Sequence, residues 1–157
     1  MHIKKEDSEK KSDFIRWFSE LNRNSGKVAG GKGANLAEIY NIGTPVPPGF
    51  VITAQAYDFF IKKAGLNEKI KALLEKINYE DTAGLDEITK QIRGLIESSK
   101  LPKEMEEEIV EAYDVLGTEG KEIETEQANY LLKNSFKNIF VAVRSSATTE
   151  DLVEASF

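Results

Sequence analysis

Two places in this chain combine residue types and spacing that suit phosphate chemistry. The first is Gly30-Gly31-Lys32-Gly33, just ahead of a helical pattern. Glycines let backbone amides approach an anion closely, and a helix start adds a favourable dipole. A lysine there reaches a phosphate as a compact point charge. The spacing approaches that of a P-loop, with Gly26, four residues, then Gly31 and Lys32. It departs at the next position, which is Gly33 where a P-loop has the Ser or Thr that binds magnesium. Residues 19–25 also lack the apolar strand that feeds such a loop. The dinucleotide-type glycine pattern fails as well, because the third residue after Gly33 is Leu36. On this motif alone, a plain glycine turn that starts a helix and leaves Lys32 exposed competes with phosphate binding.

The second place is Arg144-Ser145-Ser146-Ala147-Thr148-Thr149, directly after the apolar run Ile139-Phe140-Val141-Ala142-Val143. Open α/β sheets bind ligands beyond the carboxyl ends of their strands. An arginine there offers a planar fork of donors, and the hydroxyls of Ser145, Ser146 and Thr148 add more. Glu150 and Asp151 supply carboxylates that can order the loop or pair with Arg144. A structural Arg–carboxylate pair with hydroxyl-capped turns is the competing reading. If the fold brings Lys32 and Arg144 together, the two cations clamp one polyphosphate.

The elements that must position these residues follow from apolar periodicity and turn chemistry. Residues 1–12 form a polar tail. Phe14, Ile15, Trp17, Phe18 and Leu21 make an apolar cluster whose spacing leaves helix and strand both open. Residues 22–27 form a turn-rich connection. Residues 34–40 then read as a short helix with Ala34, Leu36, Ala37, Ile39 and Tyr40 on a buried face. Pro45, Pro47 and Pro48 make residues 42–49 an extended loop. Residues 50–53 read as a strand. Thr53 is placed to cap a helix over 54–64, with Gly65 as its stop and Tyr57, Phe60 and Ile61 buried. From 66 to about 134 the pattern is helical, with Pro102 near the start of the last helix. The many Glu and Lys residues on these helices read as a solvated face. The run 139–143 reads as a strand covered on both faces. Helices with two widely separated buried strands predict an α/β or α+β fold.

Composition narrows the function. The chain has 157 residues, enough for one domain that buries roughly 68–70% of its unfolded surface. It contains no cysteine, which removes disulfides, thiolate metal sites and a cysteine nucleophile. Its one histidine, His2, stands in the polar tail, where nothing preorganises chemistry. A net charge of −6 is poorly suited to nucleic acid. The absence of a long apolar run excludes a membrane-spanning helix. A charged N-terminus and the lack of cysteine make a soluble cytoplasmic setting the default expectation.

Three ordered segments then resemble a known family. They are residues 28–38 (VAGGKGANLAE), residues 45–53 (PVPPGFVIT) and residues 141–151 (VAVRSSATTED) followed by 154–157 (EASF). Together they are similar to the pyruvate-phosphate-dikinase-like N-terminal ATP-binding domain, over roughly residues 13–157. The Arg-Ser-Ser-Ala-Thr form resembles the phosphoenolpyruvate synthase (pyruvate, water dikinase) branch, or the related rifampicin phosphotransferases, more than pyruvate, phosphate dikinase. The acidic stretch 117–138 looks like an extra insertion.

The resemblance implies the N-terminal portion of an ATP-grasp nucleotide-binding domain. Lys32 and Arg144 match the family's ATP-phosphate contacts, with Gly30, Gly31, Gly33, Ser145, Ser146 and Thr148 as weaker cofactor-binding positions. It implies no catalytic residue and no metal ligand within residues 1–157. Magnesium ligands, a phosphohistidine domain and the pyruvate site are expected outside them. The implied partners are ATP and, through other domains, pyruvate. A stand-alone nucleotide-binding module without turnover is the alternative of a different class. An open half of a nucleotide cleft also favours self-association.

Overall fold

The computed structural model describes residues 13–116 and 140–149. The polar tail, residues 117–138 and the pair Glu150 and Asp151 lie outside the described residues. Within them the order is β1 (Ile15–Trp17), a 3₁₀ turn (Phe18–Glu20), α1 (Gly26–Asn41), β2 (Phe50–Ile52), α2 (Ala54–Lys63), α3 (Asn67–Leu74), α4 (Thr82–Glu97) and α5 (Lys103–Leu116). Mixed helix and strand is the class expected, and the sheet of the described residues has two strands. β1 and β2 pair antiparallel with Ile15 opposite Ile52, Arg16 opposite Val51 and Trp17 opposite Phe50. The undecided cluster at 14–21 therefore divides, its first part a strand and its second the 3₁₀ turn.

The expected strand at 139–143 is corrected. Residues 140–147 have no regular structure, and Phe140 and Val143 are 99% and 92% exposed. A strand needs a neighbour to pair its backbone groups. No strand among the described residues lies beside this one, since the sheet they form contains β1 and β2 alone. Over residues 140–143 the signal read as a doubly covered strand is a string of exposed apolar side chains.

The described residues form two apolar clusters. Ala56, Phe60, Ile61, Leu66 and Met105 form one, with Phe14, Ile70, Leu95, Ile96 and Ile109 packed on it. Phe18, Leu21, Ala29 and Ala37 form the other, with Val28, Leu36, Tyr40 and Val51 around them. Phe14, just before β1, serves the first cluster and Val51 of β2 serves the second, so the short strand pair joins both cores.

α2 begins as its sequence dictates. The Thr53 hydroxyl accepts the Ala56 amide at 3.1 Å and donates to the Asp13 carbonyl. It therefore caps the helix and also ties the chain just before β1. Thr53 is 1% exposed, so both bonds are shielded from water. Gly65 ends the helix with φ of 65°, the left-handed conformation typical of a glycine stop. Two side chains differ from expectation. Tyr57 is exposed because the buried face of α2 runs through Ala56, Phe60 and Ile61, leaving Tyr57 on its edge. Ile39 is exposed because α1 buries its small residues, Ala34 and Ala37, and turns Ile39 outward.

Replacing Thr53 by Ala is expected to cost about 1–2 kcal/mol, the range for losing an N-cap hydroxyl. Thr53→Ser should retain most of that. The midpoint of urea unfolding followed by circular dichroism measures both, and equal midpoints for the Ala and Ser variants would contradict the capping role.

Candidate functional site

The expected helix at 34–40 is longer and starts earlier, at Gly26, but it breaks at Gly30. Gly30 has φ 69° and ψ 169°, a combination open essentially to glycine alone. The chain completes one turn through Ala29, swings at Gly30 and restarts its helix at Gly31. Lys32 lies on the first turn of that second segment and is exposed.

A helix that restarts behind a glycine has no side chain of its own at the capping position. Its first amides must find other acceptors. They find them in the Arg144–Thr149 segment. The Gly31 amide donates to the Ala147 carbonyl at 3.0 Å. The Gly33 amide donates to the Ser146 hydroxyl at 3.0 Å. The same hydroxyl donates to the Ala29 carbonyl at 2.8 Å. Ser146 thus bridges the last residue before the break and the third residue after it.

Gly30 is glycine for a second reason. A Cβ there would stand 2.3 Å from the Ser146 hydroxyl oxygen and 2.8 Å from its carbonyl oxygen. No side chain fits between the two segments. Gly33 closes the packing underneath, where a Cβ would meet Val51 of β2 at 3.4 Å. All three sequence segments singled out above therefore converge on one point.

The far end of α1 is also fixed. The Asn41 amide group donates to the carbonyls of Phe18 and Leu21 at 2.9 and 2.8 Å. The Glu38 carboxylate accepts the Arg23 amide at 3.0 Å. The helix that carries Lys32 is held at both ends, so the lysine projects from a rigid support.

The sequence-derived candidates fall out as follows. Gly30, Gly31, Gly33 and Ser146 meet in the joint between the two segments. Lys32 stands one residue from the Gly33 bond, and Arg144 stands two residues from Ser146. Arg144, Ser145 and Thr148 are exposed. Arg144 was expected at the end of a strand; it lies instead on an irregular segment laid across the break in α1. Sequence reading missed the backbone acceptors Ala29 and Ala147, which have no side-chain signal. The hint available was the glycine at a capping position, which demands a cap from elsewhere. For magnesium the fit is negative: among the described residues no three His, Cys, Asp or Glu side chains gather where they could hold an ion.

Residues 26–157 match the pyruvate phosphate dikinase, AMP/ATP-binding domain family. That span begins at the first residue of α1 and includes both segments of the joint, and the chain belongs to this family. It is 45% identical over 144 residues to a probable phosphoenolpyruvate synthase of Methanocaldococcus jannaschii, covering 92% of this chain and 11% of that protein. A probable phosphoenolpyruvate synthase of Staphylothermus marinus is 45% identical over 148 residues, covering 94% of this chain and 16% of that protein. The phosphoenolpyruvate synthase of Pyrococcus furiosus is 38% identical over 177 residues, covering 92% of this chain and 20% of that protein. The chain thus spans between about a tenth and a fifth of the length of these relatives.

Gly30→Ala is expected to lower stability by about 1–3 kcal/mol from backbone strain alone, before the clash with Ser146. Gly26→Ala is the control, because a Cβ there meets nothing within 4 Å. Thermal unfolding of the two variants measures the difference. Equal melting temperatures would contradict the packing described for Gly30.

Proposed function

We propose that this chain is the ATP-binding lobe of a phosphoenolpyruvate synthase, with Lys32 and Arg144 contacting the ATP phosphates. The loops that carry these cations contain Gly30, Gly31, Gly33, Ser145, Ser146 and Thr148. The observation that carries the reading is the set of three hydrogen bonds joining the Gly30–Gly33 break to Ser146 and Ala147. It places a lysine and an arginine on adjoining supports within an acidic chain. Membership in an AMP/ATP-binding domain family supports a nucleotide as the ligand. The relatives' names support the synthase over an antibiotic phosphotransferase.

On this reading the domain is the first part of an ATP-grasp fold, and the protein works in the cytoplasm. ATP, pyruvate and water give phosphoenolpyruvate, AMP and phosphate, by way of a histidine phosphorylated on another domain. Phosphoryl transfer depends chiefly on positioning and on neutralising charge on the phosphate oxygens. Two fixed cations perform both tasks. Lysine supplies a compact charge and arginine a planar fork that takes two oxygens at once. Magnesium would neutralise further charge on the nucleotide. Its protein ligands belong to residues beyond those described, so no step is assigned through it.

Lys32→Ala and Arg144→Ala should each weaken ATP binding by about 1.5–3 kcal/mol, the range for a hydrogen bond to a charged group. That is roughly a 10- to 150-fold rise in Kd, at 1.4 kcal/mol per factor of ten. Isothermal titration with ATP measures it. ATP binding that survives both substitutions unchanged would remove these residues from the site.

A further inference from the structure

We infer that Ser146 is a positioning residue, whose hydroxyl locks the Lys32 turn to the Arg144 segment so that both cations face one polyphosphate. The inference rests on the nucleotide reading above and changes what Ser146 does within it. By residue type alone, a serine beside an arginine in a phosphate site is a phosphate ligand. The geometry assigns its hydrogen-bonding capacity elsewhere.

A serine hydroxyl has one proton to donate. In Ser146 that proton goes to the Ala29 carbonyl. The oxygen also accepts the Gly33 amide. Phosphate oxygens at neutral pH need donors, and the single donor of Ser146 is already used within the protein. Ala29 and Gly33 are both buried. Withdrawing the hydroxyl from them would leave a carbonyl and an amide without partners away from water, which is unfavourable. Ser146 therefore keeps its present partners while a nucleotide binds.

Its effect on the ligand passes through the backbone. Gly33 follows Lys32 directly, and Ser146 lies two residues after Arg144. Successive Cα atoms are about 3.8 Å apart, so each cation is within two peptide units of the same hydroxyl. The segments are distant in sequence, 113 residues separating Ser146 from Gly33. One further bond, from the Gly31 amide to the Ala147 carbonyl, runs alongside. It involves no side chain, so Ser146→Ala leaves its donor and acceptor in place. Removing the hydroxyl takes away two of the three hydrogen bonds of the joint and leaves the Gly31–Ala147 bond to hold the segments in contact.

The test is a double-mutant cycle on ATP affinity in the whole chain, comparing wild type, Ser146→Ala, Lys32→Ala and the double variant by isothermal titration. The expected result is a roughly 5- to 10-fold weaker Kd for Ser146→Ala alone. On the Lys32→Ala background the same change should cost less than twofold, because no lysine remains to be positioned. A merely structural role would give the same factor on both backgrounds, and that outcome overturns the inference. If wild type binds no ATP, or Lys32→Ala leaves binding unchanged, the nucleotide reading has failed and this inference falls with it. Wild-type amide exchange gives a check that needs no variant. The Gly33 amide should be strongly protected without nucleotide, and rapid exchange there contradicts the joint.

Discussion

The helix that bears Lys32 restarts at a residue that can carry no side chain. Gly30 occupies a backbone conformation essentially reserved for glycine, and the space where its Cβ would stand is filled by Ser146. The restarted helix therefore has orphan amides and no local cap. Their acceptors come from a segment more than a hundred residues away in sequence. This single demand couples the first and third sequence segments. The second is drawn in through Gly33, which lies against Val51 of β2.

The rest of the described structure supports that joint from two sides. One cluster seats α1 by packing its buried alanines, Ala29 and Ala37, with Phe18 and Leu21. Asn41 then fastens the end of the helix to the turn after β1. The larger cluster of α2, α3, α4 and α5 holds no candidate site residue. Thr53 links this helical part to the chain before β1 through its cap and its bond to Asp13. The helices stabilise the strand pair, the strand pair seats α1, and α1 presents the lysine.

Much of this was legible in the sequence because the signals were local. Thr53 before an amphipathic run and Gly65 after it marked α2, and the prolines at 45, 47 and 48 marked the loop ahead of β2. The glycine cluster correctly indicated an unusual backbone next to a helix start. What the sequence could not show was non-local. The run Ile139–Val143 has every local property of a buried strand, yet strand formation depends on a neighbour, and the described residues provide none. The acceptors at Ala29 and Ala147 are main-chain atoms that any residue possesses. Ser146 illustrates the limit most clearly. Its type and its place beside Arg144 suggested a ligand contact, whereas its partners are fixed by a glycine 116 positions earlier.

The proposed function makes one physical claim, that the energy of ligand binding here resides in a polyphosphate held between Lys32 and Arg144. The most direct measurement is competition for this chain between ATP, adenosine and inorganic tripolyphosphate in a calorimetric titration. The account predicts that tripolyphosphate displaces ATP and that adenosine binds at least tenfold more weakly than ATP. Adenosine binding as tightly as ATP, with tripolyphosphate unable to compete, would contradict it.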